Sequence, residues 1–231
     1  RQIMKKQKFF SAKNVAMLGV LLALVVILQS VALVTGLFLA TSLSFVLIPI
    51  VLGAVLIGPL AGGILGAAFG LMVLIFGISG ADAFTAMLLN QNAWMTVLTC
   101  LVKGIAAGVV PGFLYRLIAP KNRYVAVFVA SAAAPVMNTG FFILGALCMW
   151  QIFEELAIGQ GTSVLYYIVV LCSAVNFAIE FASTVIAAPS LYRVTEVVKK
   201  RRAKEEILPV DAGGAVRRET PAEETGDDHL H

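Results

Sequence analysis

The sequence predicts an all-α, polytopic membrane protein with six transmembrane helices and both termini in the cytoplasm. Three observations predict it. The 231-residue chain is 60% hydrophobic and only 13% charged, against roughly 25% charged residues in an ordinary soluble domain. Residues 14–81 carry no charged side chain, and only eight occur between Asn14 and Tyr192, from Asp82 to Glu180. The basic residues fall almost entirely on one side of the spans that this spacing allows. A water-soluble globule needs a polar surface, and this chain lacks the residues to make one. That excludes a soluble enzyme, a secreted disulfide scaffold and a nucleic-acid-binding domain. The net charge of +4 sits in short flanks beside apolar runs, where it sets membrane orientation and calls for no nucleic-acid partner.

A helix crossing the hydrocarbon needs about 20 residues at 1.5 Å rise each. Span 1 is expected over 14–34; its apolar run is too long for a signal peptide and reads as an uncleaved helix. Breaks at Thr35-Gly36, at Ala40-Thr41-Ser42 and at Gly58-Pro59 put span 2 at 42–57 and span 3 at 60–78; a Gly-Pro pair favours a turn because Pro restricts the residue before it. Residues 79–92 read as a mixed polar loop, followed by span 4 from Ala93 to Ile118 and a polar turn at 119–123. Span 5 covers 124–150, a second mixed loop 151–162, and span 6 runs from Ser163 to Ala188 and on into Val198. The chain thus divides into a basic cytoplasmic N-terminus (1–13), a membrane domain (14–198) and a charged tail (199–231). The tail has Pro and Gly and no aromatics, so it is expected to be disordered.

These boundaries put 16 of the 17 Lys and Arg residues on the side that holds the termini and the 58–59 and 119–123 turns, with Lys103 inside span 4 as the exception. The loops 79–92 and 151–162 hold Asp82, Glu154 and Glu155 and no basic residue. By the positive-inside rule the termini face the cytoplasm, and the outer faces of the spans are expected to contact lipid.

Gly58, Gly62, Gly66 and Gly70 stand four apart on span 3, and Gly104, Gly108 and Gly112 repeat the spacing on span 4. In lipid such stripes let helix backbones approach closely, so they predict a packed pair of helices and no phosphate cradle. Cys100, Cys148 and Cys172 all lie in apolar runs and read as small hydrophobes. No catalytic constellation is found. The Gly77-Ile78-Ser79-Gly80 string resembles the G-x-S-G of rhomboid proteases, but serine chemistry needs a histidine base, and both histidines, His229 and His231, lie in the tail. There is no P-loop for ATP. The chain is therefore not read as an enzyme, and no metal or cofactor is expected.

The unusual residues are polar groups inside the membrane. Lys103 lies about ten residues into span 4, roughly 15 Å deep, where an ionised Lys costs on the order of 2.5–3.5 kcal/mol. Asn138 and Thr139 lie near mid-depth on span 5. Asn176 and Glu180, four apart, share a face of span 6. Two readings stand together here: a structural Lys103–Glu180 pair, or a polar cavity for a small ligand. In the second reading Phe142 and Tyr166 line the pocket, while Asn92 and Trp94 lie above span 4 as part of a lid.

Several segments are similar to one known family. Ile57-Gly58-Pro59-Leu60-Ala61-Gly62 resembles the turn that follows its second helix, Pro135–Gly145 (PVMNTGFFILG) its fifth helices, and Asn176-Phe177-Ala178-Ile179-Glu180 with Pro189 its sixth. With six helices and cytoplasmic termini, residues 12–200 resemble the S component of an energy-coupling factor (ECF) transporter. The resemblance implies capture of a vitamin or related micronutrient from outside, followed by uptake powered by partners: a transmembrane T component and two ATPase subunits. It also implies that a small-residue motif on the first helix touches the T component. Here Gly19-Val20-Leu21-Leu22-Ala23, preceded by Ala16, keeps the A-x-x-x-A spacing with Gly in the first place, and the long charged tail departs from the family pattern. Riboflavin, pantothenate and pyridoxine-type ligands all stay open, with Lys103 favouring a carboxylate or phosphate. The alternative is a membrane scaffold or assembly protein with no transported ligand. A secondary transporter is disfavoured by the lack of an inverted repeat.

Overall fold

A computed structural model describes residues 11–38 and 44–207, and side chains within these except at 36–38 and 202–207. Among the described residues the chain is helical, without a strand. The helices are α1 (Ala12–Phe38), α2 (Leu47–Leu56), α3 (Pro59–Ile78), α4 (Ala83–Ile118), α5 (Arg123–Cys148), α6 (Trp150–Gly159), α7 (Val164–Tyr166), a π-helical stretch Tyr167–Ala174, and α8 (Val175–Ile207). Among the described residues, five helical runs are long and apolar enough to cross a membrane: Ala12–Thr35, Pro59–Ile78, Ala83–Ile118, Arg123–Cys148 and Val164–Arg201. The protein is thus an all-α chain with the character of a multi-pass membrane protein.

The second span departs from expectation. α2 has 10 residues, about 15 Å of helix against a hydrocarbon core near 30 Å. Pro49 explains its start. A proline is tolerated in the first turn, where its missing N–H has no intrahelical partner anyway, and it would break a helix begun at residue 42. Eight of the ten residues are buried, including Leu47, Ile50 and Val51, so α2 is a core helix wrapped by its neighbours. It still returns the chain. Asn14 of α1, Pro59 of α3 and Arg116 of α4 line one cavity of about 340 Å³, whereas Ala32 of α1, Phe76 of α3 and Thr85 of α4 line another. The first and third helices therefore run the same way, with α4 antiparallel to both.

α3 and α4 form the backbone seam that the glycine stripes predict. Gly62 faces Gly108, Gly66 faces Gly104, and Gly70 faces Cys100, each against a main-chain carbonyl of the other helix. At the end of the seam Gly112 meets Pro59, whose Cα would stand 2.7 Å from an added Cβ. Gly58 opens α3 at φ 136°, a conformation that other residues rarely adopt. α5 packs on α4, with Gly145 against Thr99, and meets α8 through side chains, including an edge-on Tyr124–Tyr192 ring pair at 5.4 Å.

Both segments read as loops contain helices. Asp82 caps α4, its Oδ1 accepting from Thr85 N–H at 3.2 Å and its Oδ2 from Thr85 Oγ1–H at 2.6 Å, so residues 83–91 are helical. The helix then breaks at Asn92 (φ −151°, ψ 82°) and restarts at Ala93 under a second cap, Asn92 Oδ1 accepting from Met95 N–H at 3.2 Å. In place of the second loop stands α6. Phe153 and Ala157, four apart, are buried while Glu154 and Glu155 face out, the pattern of a one-sided surface helix.

By internal packing the described chain divides after Thr195 into two units. In the second unit the chain is helical as far as Ile207, further than the disordered tail expected from residue 199. The rest of that tail and the basic residues 1–10 lie outside the described residues.

Candidate functional site

A cavity of about 910 Å³ opens among α1, α3, α4, α5 and the π-helical start of the last span. Its lining comes from the C-terminal halves of α1, α3 and α5 and the N-terminal halves of α4 and of Val164–Arg201. It therefore lies at the end of the bundle opposite Arg116 and the 119–123 turn.

Lys103, Asn138, Thr139, Phe142, Asn176 and Glu180 all line it. Three separate spans bring these residues together. Lys103 is half-buried and does not ion-pair with Glu180; its Nζ lies 5.8 Å from the Phe69 ring centre and 5.6 Å from that of Phe142. A cation over a desolvated ring gains about 2 kcal/mol, which offsets much of the cost of an ammonium at this depth. The rings stabilise the charge without occupying its three N–H donors.

Across the cavity Glu180 is 2% exposed and Asn138 4%. Asn138 Nδ2 donates to Glu180 Oε2 at 2.9 Å. With Glu180 ionised that bond fixes the amide, because the flipped form would set oxygen against oxygen. Asn138 Oδ1 is left buried with no protein partner, and so are Gln29 Oε1 and Ser44 Oγ, of residues that line the same cavity. An unmet buried polar atom costs about 1–3 kcal/mol; the two amide oxygens only accept and the hydroxyl accepts or donates, so all three can take a hydrogen bond from a bound donor.

One end is closed by aromatic rings. Phe142 packs against Phe84 (6.4 Å) and Phe153 (6.5 Å), and Phe153 against Tyr167 (6.4 Å). Phe142 thus links the Lys103 site to α6. The π-helical stretch supplies Tyr167, Leu171, Cys172 and Ser173. Its wider turn is held by Ser173 Oγ–H donating to Ile168 C=O five residues back, at 2.7 Å, and such stretches recur at functional sites.

Three expected site residues lie elsewhere. Trp94 is 77% exposed and Tyr166 51% exposed, both on outward faces, where Trp94 suits an interfacial belt. Tyr167, one position and about 100° on, is the tyrosine that lines the cavity. Asn92 is spent on the helix break, its side chain capping and its C=O accepting from Thr96 Oγ1 at 2.8 Å. Ala81–Thr85 line the cavity in their place, Asp82 and Phe84 among them. Gln29, Ser44 and Phe69 went unread. Gln29, set inside an aliphatic run of span 1, carried a signal, since an intramembrane polar residue is informative by itself.

Ala16, Gly19 and Ala23 lie together on an exposed face of α1, and an added Cβ at Gly19 would meet nothing within 4 Å. No protein-family model, curated protein or solved structure matches the chain.

Proposed function

We propose that the protein is the substrate-binding S component of an ECF-type importer, capturing a vitamin-like micronutrient from outside a prokaryotic cell. The observation that carries this reading is the cavity of about 910 Å³ lined by Lys103, Asn138, Asn176 and Glu180, a space ample for a small organic ligand with a few placed polar groups. Its position supports capture from outside. The basic residues gather at the other end, so the positive-inside rule turns the cavity mouth away from the cytoplasm. In this reading the chain crosses six times, α2 serving as a short pass sheltered by its neighbours, and both termini are cytoplasmic. The return of the chain across α2 and the Tyr124–Tyr192 contact favour that even count.

The small-residue face at Ala16, Gly19 and Ala23 is the surface proposed to meet the T component, since close helix approach in lipid needs small residues. The two ATPase subunits supply the energy. The test is to purify the protein from rich medium, denature it, and identify released small molecules by mass spectrometry. Co-expression with a T component and two ATPases is then expected to give ATP-dependent uptake of that compound. Protein that retains no small molecule and supports no uptake would return the chain to the scaffold reading.

A further inference from the structure

We infer that the cavity takes an amphoteric small molecule, with an anionic group on Lys103 and N–H or O–H donors on the acceptors at Asn138 and Glu180. The inference rests on the cavity being a ligand site and narrows that ligand to a chemical class.

The two poles of the cavity ask for opposite things. At one pole the Lys103 ammonium lies between Phe69 and Phe142. Ring faces hold a cation but leave its N–H groups unpaired, and an ammonium only donates. The complement is an anion. At the other, the Asn138–Glu180 bond leaves Asn138 Oδ1 without a partner, beside a carboxylate that only accepts. The complement there is a donor.

The distribution of unpaired atoms strengthens the point. Among the described residues four buried side-chain polar atoms lack a partner, and three of them, on Gln29, Ser44 and Asn138, belong to residues that line this cavity. A ligand with an anion alone would leave the amide oxygens without a donor, and a ligand with donors alone would leave the Lys103 N–H groups without an acceptor. The lining also carries apolar side chains, among them Val73, Phe84 and Leu88, in addition to the two phenyl rings. That suits a flat or ring-bearing body. A site with buried polar groups discriminates steeply against analogues that leave them unpaired.

Three probes separate the poles: 4-aminobenzoate carries both groups, benzoate the anion alone and aniline the donor alone. Binding of each to the purified full chain in detergent is read from ligand-dependent thermal shift. The expected result is saturable binding of 4-aminobenzoate at least tenfold tighter than either single-group probe. Lys103→Met is expected to abolish the preference over aniline, and Lys103→Arg to keep it. Asn138→Leu with Glu180→Leu removes both acceptors together and is expected to abolish the preference over benzoate, with benzoate binding retained as the sign of an intact fold. Equal binding of benzoate or aniline by the wild type, or no binding of 4-aminobenzoate, overturns the inference. A correct probe ranking without coupling to a T component removes the importer reading alone. ATP-dependent uptake of a ligand lacking either group removes the ligand class alone.

Discussion

One methyl group, placed at two positions, tests whether the α3–α4 seam sets the geometry of the cavity. A Cβ added at Gly70 falls 2.5 Å from the Cys100 carbonyl oxygen, 3.1 Å from its carbon and 3.2 Å from Leu101 Cα. Ordinary contact begins near 3.4 Å, so the shortest gap is deficient by about 0.9 Å. All three atoms are main chain, and no rotamer change can relieve the clash. Overpacking costs about 1–3 kcal/mol, and a backbone-on-backbone case belongs at the upper end, ~3 kcal/mol. At 2–4 °C per kcal/mol for a chain of this size, Gly70→Ala is expected to lower the melting temperature by about 6–12 °C. Gly140→Ala makes the same chemical change where nothing lies within 4 Å, and the better helix propensity of Ala is expected to leave stability unchanged or raised. The seam also borders the site, since Phe69 precedes Gly70 and Lys103 precedes Gly104. Prising the helices apart therefore separates the ring from the ammonium and is expected to weaken ligand binding. The assay is thermal unfolding in detergent, followed by intrinsic fluorescence and size-exclusion chromatography. If Gly70→Ala melts with Gly140→Ala, the close approach is not what holds these helices.

Three further outcomes are expected. Single cysteines placed in 79–92 or 151–162, in a background without Cys100, Cys148 and Cys172, should react with an impermeant thiol reagent on intact cells, whereas ones in 119–123 should not; outside labelling of 119–123 overturns the topology. Gly19→Trp or Ala23→Trp should abolish copurification of the T component while ligand binding persists, because a bulky side chain prevents close helix approach; unchanged copurification removes this face from the mechanism. Asn138→Leu should destabilise the protein by about 1–3 kcal/mol by stripping Glu180 of a donor, and adding Glu180→Leu should recover part of that loss in a double-mutant cycle; strictly additive losses would mean that the two side chains do not act as a pair.

The long spans were legible because a helix of 20 apolar residues has no polar face to turn to water and matches the thickness of a bilayer. The glycine stripes in turn marked the helices that touch. The inward polar residues were legible for a related reason: Lys103, Asn138, Asn176 and Glu180 are expensive in lipid, so each had to face something other than lipid. The short helices were not. α6 carries Glu154 and Glu155, and their charge outweighed the inward-facing Ile152-Phe153 and Leu156-Ala157 pairs at helical spacing. α2 is shorter than its hydropathy suggests because Pro49 belongs in the first turn of a helix that starts at Leu47. Tyr166 and Tyr167 differ by one residue of phase, in a segment where a π-helical stretch shifts the phase and leaves no compositional mark. Ser44 enters the cavity only through the chain path between α1 and α2, which no periodicity encodes.

The α3–α4 seam is written almost wholly in glycine and main chain, so the pairing of these helices owes little to any side chain that could vary. The faces of the same helices that look into the cavity are free to change without disturbing it. Phe69, Val73, Phe76, Phe84 and Lys103 can each be exchanged while Gly62, Gly66, Gly104 and Gly108 keep the helices in register. Scaffold and recognition are thereby inherited as separate characters. A library randomised at those five lining positions should hold more folded members than one randomised at five positions along the seam, and the protein offers a frame on which new small-molecule preferences can be selected without rebuilding the bundle.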